Sequence, residues 1–400
     1  LSISLWRGTV TLPNLPRNSR LSDIDKLVLY LALLMKDFLS EDSFKSPLVA
    51  YAGQLLLEGS NATILWPQIA LSASLVGTEA QEVTEHFLRR VSMIHAAAPL
   101  EVEYQDVKVA FAHFYARHLK LPGSQPEAIL LPGIDWCRQR EASATTLVLL
   151  PERQVVQLRA SGIVQAGEEI FVETGVHDNT DLVLRGESTT PSAGEVLMVP
   201  FNGDETSAQK RLLFQQLNWP MEIRLTDEGV QDLKGLRLAS MPKEEFTSWS
   251  VGALIAGAPL AVSRAFRTEV QATTYLLEEC SKRGAATRSH PQAQQAGLDL
   301  QAKIASRYRK TLTEIYEKCQ LRSRQKLDKL LVWAMKQHGW IFNYVQEAIL
   351  MAEKRILKSK AFKVKAVPTM VASDNLKLPI LEDSNLRQMT DMIAAIVNTK

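Results

Sequence analysis

Apolar residues recur at helical spacing through much of the first 120 positions. After a stretch broken by Pro13 and Pro16, Asp23 and Asp25 suit a first helical turn, and the apolar run 27–35 continues to Phe38. Residues 48–57 and 81–98 are predicted helices, the second with Val83, Phe87, Leu88, Val91 and Ile94 on one face. A further helix over 106–119 is stopped by Pro122-Gly123. The texture changes at Ala144. Runs 145–150, 154–159, 169–173 and 195–200 are short and rich in Val, Ile and Leu between Gly, Pro and Asp-Asn clusters, which predicts strands and turns. From about residue 206 to 360 the pattern is helical again, longest over 265–285, 294–320 and 323–358. Pro368 marks a tail whose last part, 384–398, is amphipathic.

Composition narrows the class. The chain has 400 residues, 46% of them hydrophobic and 22% charged, which fits two or three globular domains and excludes disorder or a fibre. Cys137, Cys280 and Cys319 lie far apart with no CxxC spacing. This excludes a disulfide scaffold and a Cys-rich zinc module, and points to a reducing compartment. The longest apolar stretches fall short of the roughly 20 residues of a membrane helix, so a soluble protein with no membrane span is expected.

The net charge of +2 hides an asymmetry: residues 303–365 hold sixteen Lys and Arg against five Asp and Glu. That excess suits a polyanionic or acidic partner, RNA included, and equally a solvated helix face. Arg322, Lys326 and Lys329 fall at i, i+4 and i+7 with Arg324 to the side, a candidate partner-binding basic face. No acid precedes Asp23, while Arg7, Arg17 and Arg20 do. A processed organellar end (mitochondrial matrix or plastid) is expected from this, with a truncated chain start and a cytoplasmic protein as the other readings.

Motifs with strong local signatures are missing: no GxxxxGK[ST], GxGxxG after a strand, HExxH or GxSxG. His113 and His118 are five apart and do not share a helix face, so no metal site is expected. Asn61-Ala62-Thr63 fits a glycosylation acceptor only by chance, and Glu101, Glu103 and Asp106 suit a solvated helix start.

A set of weaker motifs in a fixed order carries more. The stretch 27–34 followed by Asp42-Ser43-Phe44, Pro47 and Tyr51 resembles the "LALFLL…DSFW.PYL" segment of SET proteins of the Rubisco large-subunit methyltransferase type. Leu65-Trp66 and 75–78 resemble later parts of the same helical insert, and 109–117 its "A…SR" helix. Residues 128–135 resemble "ALVPLADMLNH", 166–171 resemble "AGEEIF", and 179–186 resemble "N.ELLLRYGF". Residues 233–241, before Pro242-Lys243-Glu244-Glu245, resemble the opening of the family's helical substrate-binding lobe, and 353–357 resemble its "EKRIL".

The resemblance implies an α+β SET-like domain with a helical insert, followed by an all-α C-terminal lobe. Its expected layout is an N-terminal arm over 1–26 and a SET-like domain over 27–187, with the insert mostly in 27–120 and strands in 144–187. A linker over 188–206, a helical lobe over 207–360 and a tail over 361–400 complete it.

It also implies S-adenosylmethionine-dependent methylation of lysine, and there the chain departs. The stretch ending in Asp135-Trp136-Cys137 puts Arg138 and Gln139 where the family has a cofactor-holding Asn-His pair. The position of the family's catalytic tyrosine is Thr174, the closing Tyr-Gly-Phe is reduced to Gly186-Glu187, and no glycine-rich segment precedes Leu27. Gln cannot copy an imidazole, and Arg brings a fixed charge toward a sulfonium cation. The degenerate positions Asp135, Trp136, Arg138, Gln139 and Thr174 therefore lead to an expectation of no catalytic residues, no cofactor and no metal. The expected role is an interaction or structural subunit of a larger, organellar assembly. An active lysine methyltransferase using S-adenosylmethionine and an RNA-contacting subunit of an organellar ribosome or transcription complex are the alternatives.

Overall fold

Ser22 sets the start of the first helix, α1 (Asp23–Phe38). Its hydroxyl accepts the Asp25 N–H at 3.2 Å while the Asp25 carboxylate accepts the Ser22 N–H at 3.1 Å, a reciprocal cap that satisfies two otherwise orphaned donors. Arg90 adds an ion pair to Asp25 at 2.6 Å. In this computed structural model the described residues are 2–4, 21–40, 46–120, 128–140, 145–150, 155–173, 177–201, 203, 205–231, 233–246, 248–257, 262–288, 299–336 and 339–358. The tail over 361–400 and residues 1 and 5–20 of the expected N-terminal arm lie outside them, and the arm's last residues already belong to α1.

Four more helices follow: α2 (Pro47–Glu58), with Pro47 at its first position, α3 (Gln68–Ser74), α4 (Glu79–Ala96) and α5 (Tyr104–Arg117). Helices α1, α2, α4 and α5 close on one apolar core that includes Val28, Leu29, Leu55, Ile94, Val107 and Phe111. The helix expected over 106–119 starts earlier and stops at Arg117; Leu119 instead enters a strand.

The strands of this part are short. They are β1 (Ser2–Ser4), β2 (Leu119–Lys120), β3 (Ala128–Ile129), β4 (Arg138–Arg140), β5 (Thr145–Leu150), β6 (Val155–Ala160) and β7 (Phe171–Glu173). They form an antiparallel sheet in the order β1-β6-β5, a two-stranded β2-β3 ladder and a parallel β4-β7 pair. Leu119, Leu131, Ile134, Leu147, Val156 and Val172 make their common core. Helix α6 (Asn179–Leu184) follows, capped by the Asp178 carboxylate. Gly186, at φ +81°, packs so tightly on Asn61 that a Cβ would lie 2.4 Å from its carbonyl carbon.

The chain divides into two compact units, Leu1–Thr189 with Gln292–Tyr308, and Thr190–Pro291 with Arg309–Lys400. The first unit is therefore discontinuous: the Tyr308 hydroxyl bonds Thr180 at 2.7 Å, and Arg307 donates to the Thr189 carbonyl at 3.1 Å.

The second unit is mostly helical, as expected for the C-terminal lobe, with a small sheet at its start. Strand β8 (Glu195–Met198) pairs with β9 (Glu222–Thr226), which pairs with β10 (Gly229–Gln231). The stretch 188–206, expected as a linker, thus contributes β8 to a sheet. Around and after the sheet come α7 (Ser207–Gln216), α8 (Leu233–Ser240), α9 (Ser248–Ile255), α10 (Val262–Arg288, broken at Ala265), α11 (Asp299–Met335) and α12 (Gly339–Lys358). The break expected at 320–323 is not there: α11 runs through it, because Cys319, Ser323 and Leu327 keep one face buried. Phe266, Val270 and Leu277 of α10 pack with Leu327 and Leu330 of α11 and Val345 of α12.

Candidate functional site

The turn after β3 is where the sequence places the cofactor-site positions. Leu131 and Ile134 are buried in the strand core and pin it. The Ile134 and Asp135 N–H groups donate to the Leu131 carbonyl at 2.9 and 3.0 Å, and Cys137 N–H to Ile134 at 2.9 Å. Gly133, at φ +92°, supplies the left-handed step that an ordinary side chain would resist. This folds Asp135 inward. Its carboxylate accepts the Gly133 N–H at 3.0 Å and the Tyr51 hydroxyl of α2.

Burial raises the Asp135 carboxyl above the usual range, and its two donors only partly offset that. Burial, followed by the Asp135 charge and hydrogen bond, pushes the Tyr51 phenol well above its ordinary value. Tyr51 thus stays a donor and Asp135 an acceptor, locked to each other. Trp136 is 43% exposed yet packs on the same Tyr51, its ring 5.7 Å from that of Tyr51 and tilted by 53°. Burial also pushes the Cys137 thiol up.

Directly after the turn, β4 pairs in parallel register with β7: Arg138 opposite Phe171, Gln139 opposite Val172 and Arg140 opposite Glu173. The backbone therefore brings Arg138 and Gln139 beside the strand that leads to Thr174. Thr174 itself lies outside the described residues.

A second network was not legible in the sequence. It hangs on the last turns of α5. Tyr115 donates to Asp181 at 2.7 Å, Arg185 donates to the other Asp181 oxygen at 3.0 Å, and His177 pairs with Asp181 as well. Arg185 also caps the Ala116 carbonyl at 3.1 Å and lies 5.6 Å from the centre of the Tyr115 ring. Burial alone would raise the Asp181 carboxyl, but His177, Arg185 and Tyr115 hold it far below the usual range. One turn away, Arg117 pairs with Glu58, and burial with the Arg117 charge pushes His113 down to about 4. The resemblance covered both segments, yet Tyr115 and Asp181 are 66 positions apart, and only the packing of α6 near α5 joins them.

The remaining candidates are structural. The His118 ring stacks on Phe114 at 5.4 Å, apart from His113, and no group of His, Cys, Asp or Glu among the described residues could hold a metal ion. Glu103 and Asp106 form the reciprocal cap of α5, as a solvated helix start requires. Among the described residues no helix is long and apolar enough to cross a membrane.

On the basic face, Arg322 and Arg324 are exposed and Lys329 is half-buried. Lys326 departs from the expected face: it turns onto the fully buried Glu269 of α10 at 2.6 Å, with Arg237 on the other oxygen at 2.6 Å. Burial would raise the Glu269 carboxyl, and these two cations hold it down. Other cations of the 303–365 stretch are also matched from outside it, Lys318 by Asp227 at 3.5 Å and Arg355 by Glu278 at 3.2 Å. The local excess of positive charge is thus smaller than the linear count.

By sequence, the chain matches no protein-family model and no curated protein. By structure it is similar to several solved chains, the following three among them. One, described as the SET domain of LSMT bound to lysine and AdoHcy, is 17% identical with a TM-score of 0.53 over 75% of each chain. Another, Rubisco LSMT bound to AdoMet, is 18% identical with a TM-score of 0.53 over 76% of each. The third, the SET domain of LSMT bound to MeLysine and AdoHcy, is 18% identical with a TM-score of 0.54 over 76% of each. The chain therefore has an α+β SET-type methyltransferase fold with a helical C-terminal lobe, of the Rubisco LSMT kind. At this identity the likeness carries architecture and no chemistry.

Proposed function

We propose that this chain keeps the SET fold without methyl transfer and serves as an interaction subunit of a larger protein assembly. The observation that carries the reading is the β4-β7 pair. The pair is formed, and the residues that the sequence resemblance sets at the family's cofactor-holding positions within it are Arg138 and Gln139. As a donor set these residues do not fit S-adenosylmethionine. A guanidinium repels the sulfonium, a glutamine amide lacks the imidazole's shape and acidity, and the nearby Asp135 is already engaged by Tyr51 and Gly133. What such a fold still offers is surface, and the exposed Arg322 and Arg324 with Lys329 supply a charged one for an acidic protein partner.

The test is calorimetric titration of the purified chain with S-adenosylmethionine. No measurable heat is expected. A micromolar dissociation constant would overturn the reading in favour of an active lysine methyltransferase, which is favoured by the AdoMet and AdoHcy bound in the three similar chains. Reversing Arg322, Arg324 and Lys329 to Glu, with Lys326 left in place, should abolish assembly at physiological salt. If the partner is RNA instead, affinity falls steeply with salt before any mutation is made.

A further inference from the structure

Cys280 on α10 and Cys319 on α11 are 39 positions apart, and their sulfur atoms lie 2.7 Å from each other, with Cys280 donating and Cys319 accepting. Both thiols are free and buried. The two helices are held in antiparallel register on either side of them. Arg309 donates to the Thr287 carbonyl at 2.7 Å, Gln320 donates to the Cys280 carbonyl at 2.8 Å, and Lys326 reaches Glu269 at 2.6 Å. Gly284 lets the helices approach: a Cβ there would stand 3.3 Å from both Tyr316 and Gln320. No helix has to shift far for the sulfur atoms to reach the bonded separation of about 2.05 Å.

The pair is asymmetric. Cys319, with Arg237, Arg322, Ser323 and Lys326, lines a surface cavity of about 130 Å³, whereas Cys280 does not. That volume admits several water molecules, and hydrogen peroxide as readily. The hydrogen bond from Cys280 holds the Cys319 thiol below its ordinary range against the effect of burial, aided by Ser323 and Arg322, while burial pushes Cys280 up. The thiolate is the nucleophile in thiol oxidation.

We propose that Cys319 and Cys280 form a hydroperoxide-responsive thiol pair, with Cys319 as the attacking and Cys280 as the resolving sulfur. The Cys319 thiolate attacks one oxygen of hydrogen peroxide; the S–O bond forms, the O–O bond breaks, and the departing hydroxide takes a proton to leave as water. The resulting sulfenic acid is then attacked by Cys280. The S–S bond forms, the S–O bond breaks, and the hydroxyl leaves as a second water with the Cys280 proton. Two thiols are oxidised and one peroxide is reduced to two waters. The product cross-links α10 to α11. This assignment does not depend on whether the chain transfers methyl groups.

The test uses the full chain, purified under reductant and treated with a small excess of hydrogen peroxide, then quenched, denatured, alkylated and digested. The expected product is a peptide linking Cys280 to Cys319, with the intact chain about 2 Da lighter, while the half-buried Cys137 remains alkylatable. Cys280→Ser should retain a dimedone-reactive sulfenic acid at Cys319, and Cys319→Ser should leave Cys280 reduced. A failure to form the linked peptide in the wild-type chain, its full presence before peroxide, or earlier oxidation of Cys137 would each overturn the proposal. Dimedone labelling of Cys280 in Cys319→Ser with none of Cys319 in Cys280→Ser would overturn the order of attack. Because the wild-type measurement stands alone, a variant that fails to fold does not remove the test.

Discussion

Two neighbouring regions of the first unit bury their apolar residues very differently. Among the described residues, the layer of α1, α2, α4 and α5 with its adjoining loops gathers 21 buried side chains into one core, whereas the strands between Leu119 and Glu173 with the turn after β3 share six. The helical layer draws on long elements whose apolar faces repeat every turn, so each buried side chain packs against many others and the layer folds as one body. The strand region joins segments of two to six residues, and each supplies at most one of the six core residues, the turn after β3 giving the other two. The candidate positions singled out by the sequence, Asp135, Trp136, Arg138 and Gln139, sit in the thinner region. It can therefore change chemically and loosen locally while the helical layer keeps the molecule folded.

The strongest way to break this contrast is a pair of truncations. Phe111→Ala should cost about 3–5 kcal/mol of global stability in urea unfolding, since it empties the middle of the helical core. Val172→Ala should cost roughly 1–2 kcal/mol, because two methyl groups and a small cavity are at stake. Its effect should be local: amide exchange accelerates at 138–140 and 171–173 and stays unchanged in α1 and α5. Equal loss of protection in both regions would show that they form one cooperative core.

Gly186→Ala probes the joint where α6 ends against the loop after α2. The new Cβ would meet the Asn61 backbone at 2.4 Å in a left-handed conformation, at a cost of about 1–3 kcal/mol. The expected signature is a lower urea midpoint together with faster exchange in α6. An unchanged midpoint would mean that Asn61 yields easily.

The smallest effect expected is on pH dependence. His113 titrates at about 4 when folded and near 6.5 when unfolded, so the unfolded chain binds the extra proton and stability falls as pH drops from about 6.5 to 4. Asp181, facing His177, Arg185 and Tyr115, has its folded pKa lowered. Its contribution is present above the unfolded value of about 3.9 and is lost as pH falls further. Urea midpoints should therefore decline first below pH 6.5, with the upper limb flattened in His113→Asn. An identical slope in that variant would place the sensitivity elsewhere.

Much of this architecture follows from repeating patterns. The start of α1 is written in Asp23 and Asp25 behind Ser22, and β5 has the predicted bounds because Thr145 to Leu150 is an unbroken β-branched and Leu run. The β9-β10 hairpin was hidden inside a stretch expected to be helical. Its signal is the alternation of Glu222, Ile223, Arg224 and Leu225 before Asp227-Glu228-Gly229, which makes Thr226 and Gly229 pairing partners. The site was legible only as a set of positions. That Asp135 meets Tyr51, that Tyr115 meets Asp181 and that Lys326 turns inward onto Glu269 are facts of long-range packing. No local spacing encodes a contact across 84, 66 or 57 residues.

The interrupted course of the first unit bears on how the chain is made. Thr180 gains its Tyr308 partner, and Thr189 its Arg307 donor, only when the first turns of α11 exist. A ribosome has by then released all of Thr190–Pro291. The segment ending at Thr189 must accordingly wait, incompletely packed, while more than a hundred further residues are synthesised, and nascent-chain chaperones have their longest opportunity during that interval.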